Sequence, residues 1–193
     1  MDTYHVVLYL HFLSLFVGVG GAGVIGVCLF RLRAARTLAD AVPWGMLAGQ
    51  TERVFPVAIL GLFATGAYMT SDVWTWSTSW IAVSVAGLVL ISLQGPLLAG
   101  RRAHALERAL AENGPGPLGE EAGRLTRDPI LWGVTFVNPA LVLAIVWNMT
   151  EKPGVGGAVG ALAVAYAVAA AAAWPLTRAP AVEAAPAEQS ASS

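Results

Sequence analysis

A stretch of 25 residues without a charge, 6–30, comes almost at the start of the chain and reads VVLYLHFLSLFVGVGGAGVIGVCLF. A helix needs about 20 apolar residues to cross the ~30 Å hydrocarbon core of a bilayer. Lipid offers no hydrogen-bond partners, so a single segment satisfies its backbone there only as a helix. The stretch therefore predicts a transmembrane helix as the first element of the fold.

Four further uncharged apolar stretches follow along the chain, at 54–70, 80–99, 129–149 and 155–176. The composition agrees, since 56% of the residues are hydrophobic and 12% are charged, about half the charged fraction of a soluble domain. We predict an all-α integral membrane protein, with five transmembrane helices in a domain at 1–176. Four of the helices would form a bundle-like core, with one further helix beside it. The sequence leaves open whether the last helix of the chain belongs to the core or lies at its edge. Residues 177–193 are rich in Ala, Pro, Ser and Glu, which predicts a disordered cytoplasmic tail.

The basic residues indicate an orientation. All ten arginines lie in 31–53, 100–128 and the tail, whereas the opposite side holds only Lys152. Cytoplasmic loops carry the excess of Lys and Arg in membrane proteins. We therefore predict a multi-pass protein of a bacterial plasma membrane, with the N-terminus outside and the C-terminus in the cytoplasm.

The arginine-bearing loops have helical signals of their own. We expect residues 31–50 to continue the first helix for a turn or two and to break near Pro43. The good helix formers at 101–112 predict that the third span is prolonged beyond the membrane. Asp128 and Pro129 form a helix cap followed by a first-turn proline, so we expect the fourth helix to begin there.

One histidine, His11, lies within the first span. A buried imidazole in lipid is costly unless it is paired, so either a hydrogen bond to a neighbouring helix or service as a ligand would account for it. Several polar residues of other spans fall at a similar predicted depth, in the outer half of the membrane: Thr65, Tyr68, Ser84 and Asn148. The sequence therefore predicts a candidate pocket that four helices build around one histidine.

Several classes of function find no support in the sequence. The spans contain no charged residue, which argues against a proton pump or an ion-coupled carrier. No activated serine, carboxylate pair or zinc-protease motif is present, so we lean against an enzyme. The arginines are explained by membrane topology, so nucleic-acid binding is not expected.

Three short patterns carry a resemblance to known proteins. They are His11 followed by Gly18, Gly20 and Gly21, the inner end FRLRAAR, and the end of the second span, ATGAYMTSD. The chain resembles an uncharacterised bacterial family of predicted integral membrane proteins of unknown function. That family is itself reminiscent of the copper-resistance D membrane domain and of small membrane protoporphyrinogen oxidases that bind haem b.

The resemblance implies that His11 ligates haem b or copper. Gly18 would then make room for the macrocycle, and a haem would be five-coordinate or would take Tyr68 or Met69 as a further ligand. Copper(I) prefers thiolate, thioether and imidazole groups, so the candidate copper ligands are His11, His5 and Met69.

Two hypotheses for the function remain open. In the first, which we favour, the protein is a non-catalytic accessory or scaffold subunit of a membrane assembly, for instance a respiratory one. Its small-residue faces, such as the pair Gly156 and Gly160, would pack against other membrane subunits or a second copy. In the second, it is a haem- or copper-binding redox protein built around His11.

Overall fold

The computed structural model describes residues 2–178, and within that range the chain is helical with no strand. Five helical runs are long and apolar enough to cross a membrane, as predicted. They are Thr3–Ala34, Leu38–Val73, Ser79–Glu112, Glu120–Glu151 and Val155–Thr177. Most of the tail, residues 179–193, lies outside the described residues.

Breaks in the helical geometry divide these runs into shorter elements. In chain order the α-helices are α1 (Thr3–Ala34), α2 (Leu38–Glu52), α3 (Val54–Val73), α4 (Ser79–Gln94), α5 (Arg101–Glu112), α6 (Glu120–Leu125), α7 (Pro129–Glu151) and α8 (Val155–Ala173). A π-helical turn, Gly95–Gly100, joins α4 to α5 without a break, so the predicted extension of the third span is confirmed. A 3₁₀ turn, Trp174–Thr177, ends the last run.

The long helices pack in two groups. Helix α1 packs most extensively against α3, while α7 packs against α8 and α4 lies against both. Contacts between α3 and α4 are few, so the two groups separate there. Helix α8 lies at the edge of the bundle, since its neighbours are α7 and α4 and most of its residues are exposed.

The end of the molecule where α1 meets α2, called here the arginine-rich end, has a hydrophobic core of its own. At this end α1, α2, α5, α6, α7 and α8 bury the side chains of Leu29, Leu32, Ala41, Leu106, Leu110, Ala122, Leu125, Leu131, Trp132 and Ala173. Arg33 donates hydrogen bonds to the backbone oxygens of Leu176 and Arg178, which ties α1 to the end of the last helical run. The arginine loops are therefore a packed layer and not loose connections.

Two loops pair at this end through the backbone. Leu38 N donates to Gly116 O at 3.1 Å, and Leu118 N donates to Arg36 O at 2.8 Å. Gly116 has a φ of +125°, a conformation that residues with a side chain rarely adopt. Glycine at 116 is therefore what lets the turn after α5 reach the turn before α2.

The predicted helix break near Pro43 is wrong. The break lies at residues 35–37, and α2 runs through Pro43. Thr37 caps α2 instead, because its hydroxyl accepts from Asp40 N at 3.2 Å. Pro43 removes one hydrogen bond, to the carbonyl of Ala39, and both residues are exposed. A freed carbonyl on an exposed face finds a partner outside the protein, so the proline is tolerated there.

The predicted start of α7 is confirmed. Pro129 is the first helical residue, and Asp128 Oδ1 accepts from Ile130 N at 2.8 Å and from Leu131 N at 3.2 Å. Asp128 also lies 3.6 Å from the Nε of Arg102 on α5. One carboxylate thus caps α7 and joins it to the extension of α4.

Candidate functional site

His11 is buried between α1 and α3 and is hydrogen-bonded there. Its side chain is 7% exposed, and its Nδ1 lies 2.8 Å from Thr65 Oγ1. Thr65 Oγ1 in turn donates to Gly61 O at 2.5 Å. A hydroxyl carries one proton and a carbonyl oxygen can only accept, so Thr65 is the acceptor in its bond to His11. Nδ1 therefore carries a proton, and in the neutral ring Nε2 keeps its lone pair.

Glycines on α3 bring the two helices close enough for this bond. A Cβ at Gly66 would lie 3.6 Å from His11 Cε1, and a Cβ at Gly61 would collide with Ser14 Oγ. Gly18 lies against α3 in the same way, since a Cβ there would be 3.6 Å from Ala58 Cβ. The main role of the small residues on α1 and α3 is therefore to let the two helices pack closely.

The other ligands implied by the resemblance are spread over α1 and α3. His5 is exposed at the start of α1, where its Nδ1 lies 3.4 Å from Asp2 Oδ2. Tyr68 is 41% exposed, and Met69, one turn beyond Thr65, is half-buried. Across residues 2–178, no three His, Cys, Asp or Glu side chains lie close enough together to hold a metal ion.

The polar residues that we expected around His11 are divided between the two helix groups. His11 and Thr65 meet in the α1–α3 pair. Asn148 is fully buried on α7, and its Nδ2 donates to Ala158 O on α8 at 3.3 Å. Ser84 is buried on α4, which packs against α7 and α8. Asn148 therefore joins α7 to α8, and its hydrogen bond is not to the histidine.

A cavity lies between the two helix groups and is called here the central cavity. It has a volume of about 450 Å³ and is walled by α1, α3, α4 with the π-helical turn, and α7. Its walls are mostly apolar and include Leu15, Leu62, Leu88, Ile91, Val134 and Val142. The cavity occupies the place where α3 and α4 have few contacts.

Four polar side chains line the central cavity. Glu52, at the end of α2, is exposed as a residue and lines the cavity. Ser92 donates its proton to Leu88 O at 2.7 Å. Thr135 and Asn138 lie one turn apart on α7, both half-buried, and the buried Asn138 Oδ1 has no hydrogen-bond partner in the described part of the chain.

The π-helical turn explains why the cavity exists. Gly95, Pro96, Ala99 and Gly100 line it, so this stretch of wall has almost no side-chain volume. A π-turn is wider than an α-turn and is common at functional sites. The sequence analysis did not predict the cavity: the glycines and the proline of 95–100 mark a wall with small side chains, but they do not show that the neighbouring helices leave a space beside it.

A second, open groove runs between α7 and α8 on the surface of the bundle. It has a volume of about 710 Å³ and an apolar lining that includes Leu143, Trp147, Gly160 and Ala161. A Cβ at Gly156 or Gly160 would meet no atom within 4 Å. Of the glycine pair that the sequence marks as a packing motif, Gly160 therefore lines this groove, while Gly156 faces open space without lining it.

Comparison with protein-family models, with curated proteins and with solved structures finds no match for this chain. The family resemblance drawn from the sequence therefore stays a prediction.

Proposed function

We propose that the chain is a non-catalytic, multi-pass protein of a bacterial plasma membrane that holds a small lipid-soluble molecule in its central cavity. In this way it would serve a membrane assembly, such as a respiratory one, as an accessory subunit. The ten arginines favour an orientation with the N-terminus outside and the C-terminus in the cytoplasm. The observation that carries the proposal is the central cavity.

The size and lining of the cavity both favour a ligand. Protein interiors are packed as closely as organic crystals, and voids much larger than a water molecule are few. Binding sites for small molecules usually measure about 300–1,000 Å³ and combine apolar walls with a few polar groups. The central cavity, at about 450 Å³ and with four polar side chains, matches that pattern. Its walls belong to membrane-spanning helices, so its occupant would come from the lipid phase.

Filling the cavity is expected to block binding. Gly95 lines the cavity, and a Cβ there would meet no atom within 4 Å. Gly95→Leu therefore adds side-chain volume to the cavity without a steric clash at its Cβ. We expect saturable binding of an apolar probe, 2-isopropylnaphthalene, to weaken at least about tenfold, because the new side chain takes the place of the probe. Equilibrium dialysis against nanodiscs that contain the protein, corrected with empty nanodiscs, measures this.

Gly23→Leu is the matched control. Gly23 lies on an exposed face of α1, where a Cβ also meets no atom within 4 Å, so the substitution leaves the cavity unchanged. Equal probe binding by the wild type and by both variants would contradict a ligand site in the central cavity.

The groove between α7 and α8 is where we place a partner subunit. Small residues let a second helix approach closely, and association of helices in lipid depends on such packing. Gly160 and Ala161 offer this on α8, next to the large side chains of Leu143 and Trp147 on α7.

A haem or copper site at His11 is a second candidate function. It is favoured by the Thr65 hydroxyl, which fixes the proton on Nδ1 and leaves Nε2 as the free ligand atom of the neutral ring. Histidines that bind metals usually donate their other N–H in this manner. The chemistry supplied by a bound haem or copper would be electron transfer, with His11 as its ligand and Thr65 orienting the ring.

Absorption spectra test this second candidate. If His11 holds such a group, the protein purified after expression with added haem and copper would show a Soret band and sharp reduced α and β bands, or bound copper by metal analysis. His11→Ala should remove the signal, while Thr65→Val should change it, because the valine cannot orient the ring. Preparations that are colourless and free of metal would exclude this function and leave His11 as a packing residue.

A further inference from the structure

We propose that the molecule held in the central cavity is uncharged and carries a hydrogen-bonding oxygen, a carbonyl or hydroxyl group, which Thr135 and Asn138 recognise. This inference rests on the proposed function and narrows it to a class of ligand.

Thr135 and Asn138 form a polar pair on an otherwise apolar wall. They lie one turn apart on α7, and both line the cavity. The buried Asn138 Oδ1, an acceptor, has no hydrogen-bond partner within residues 2–178, and no hydrogen bond of the Thr135 side chain is seen in that range, whereas the Ser92 hydroxyl donates to Leu88 O. A polar group without a partner in a membrane-spanning bundle is costly, so such groups usually have a function. A ligand oxygen would engage the pair, because the Thr135 hydroxyl and Asn138 Nδ2 can each donate to it, and a ligand hydroxyl would in addition donate to the unpartnered Asn138 Oδ1.

The charge around the cavity selects a neutral head group. Among residues 2–178, Glu52 is the only charged residue that lines the cavity, and it is exposed at the end of α2. Its carboxylate would repel an anion that enters. A cation would pair with Glu52 on α2, which would leave Thr135 and Asn138 on α7 without a partner. Leu88, Ile91, Val134 and their neighbours supply apolar walls, which favour a hydrocarbon or aromatic body.

Three naphthalene probes with equal numbers of non-hydrogen atoms separate these properties. They are 2-acetylnaphthalene, which has a carbonyl, 2-isopropylnaphthalene, which has none, and 2-naphthoate, which is an anion. Each is titrated by equilibrium dialysis against nanodiscs that contain the full chain, with empty nanodiscs to correct for partition into lipid. We expect the acetyl compound to bind about three- to tenfold more tightly than the isopropyl compound, as one neutral hydrogen bond provides.

The variants Thr135→Val and Asn138→Leu assign that preference to the two side chains. Both keep the approximate volume of the residue and remove its hydrogen-bonding group. We expect the double variant to bind the acetyl and isopropyl compounds equally, with binding of the isopropyl compound unchanged from the wild type. Its thermal stability should equal or exceed that of the wild type, because two polar groups without partners are removed. A purely structural role for the pair would instead lower stability and weaken both probes together.

The remaining outcomes separate this inference from the proposed function. Saturable binding of all three probes with no preference for the acetyl group, or a preference for naphthoate, would overturn the inference but leave the cavity as a binding site. If the double variant still binds the acetyl compound more tightly than the isopropyl compound, the inference would also be overturned. Failure of every probe to bind saturably would overturn the proposed function together with the inference.

Discussion

Replacing Trp132 with alanine is expected to lower the free energy of unfolding by about 3–5 kcal/mol, the range found when large aromatic side chains are removed from cores. The Trp132 side chain is fully buried, and its Nε1 donates to Thr126 O at 2.9 Å. Its ring meets Phe30 with a centroid distance of 4.9 Å, and Arg33 Cζ lies 6.0 Å from its centroid. The substitution therefore leaves a large cavity in the core of the arginine-rich end and an unpaired carbonyl.

Denaturant unfolding of the protein in detergent micelles, followed by circular dichroism, measures the change. Trp76→Ala is the matched control, because Trp76 is 54% exposed and lies between α3 and α4. Exposed positions of this kind usually change stability by less than about 0.5 kcal/mol. An equal effect of the two substitutions would contradict a packed core at the arginine-rich end.

Gly87→Leu is expected to destabilise the protein by about 1–3 kcal/mol, because it overfills the crossing of three helices. A Cβ at Gly87 would lie 3.2 Å from Ile145 Cδ1 on α7 and 3.2 Å from Leu162 Cδ1 on α8. Those distances are already tight for a methyl group, and leucine adds three more carbons. Helix α4 would have to move away from both neighbours, which also shifts one wall of the central cavity.

A compensating substitution makes this prediction specific. Leu162→Ala in the Gly87→Leu background removes one of the two opposing methyl groups and should recover part of the lost stability, measured by the same unfolding experiment. Gly156→Leu is the control, since a Cβ at Gly156 meets no atom within 4 Å. A larger loss from Gly156→Leu than from Gly87→Leu would contradict the observed packing of α4, α7 and α8.

The helices were the predictable part of the fold. Their apolar runs all fall within the range of lengths that can cross a bilayer, about 17–25 residues, and this follows from composition alone. The start of α7 was predictable as well, because Asp128 and Pro129 act on backbone groups within one turn. Pro43 misled us because the cost of a proline depends on whether the freed carbonyl is exposed, and no sequence pattern reports that. Thr37 and Asp40 were the better local signal.

Pairings between helices were less predictable. His11 was an evident candidate, but its bond to Thr65 depends on how far α3 slides along α1. That register is set by close contacts such as Gly61 against Ser14 and Gly18 against Ala58. Likewise the Gly156–Gly160 pair matches a known motif, yet Gly87, which has no such motif, makes the tight contact. Spacing along one helix shows which residues share a face but not what that face meets.

The central cavity could not be predicted, because it is a property of several helices at once. It exists because α3 and α4 have few contacts and because the turn at Gly95–Gly100 has little side-chain volume. Asn138 and Pro139 together suggest only a kink when read along α7. Their position beside a cavity is visible only when α1, α3 and α4 are in place.

Native mass spectrometry of the protein extracted from its own membrane tests the account most directly. We expect the wild type and Gly23→Leu to carry one additional bound molecule, which is uncharged and contains oxygen, and Gly95→Leu to be free of it. Collisional activation would remove the molecule, and the mass difference between the loaded and the stripped protein would give its molecular mass. Wild-type protein that retains nothing, or Gly95→Leu protein that retains the same molecule, would contradict a ligand site in the central cavity.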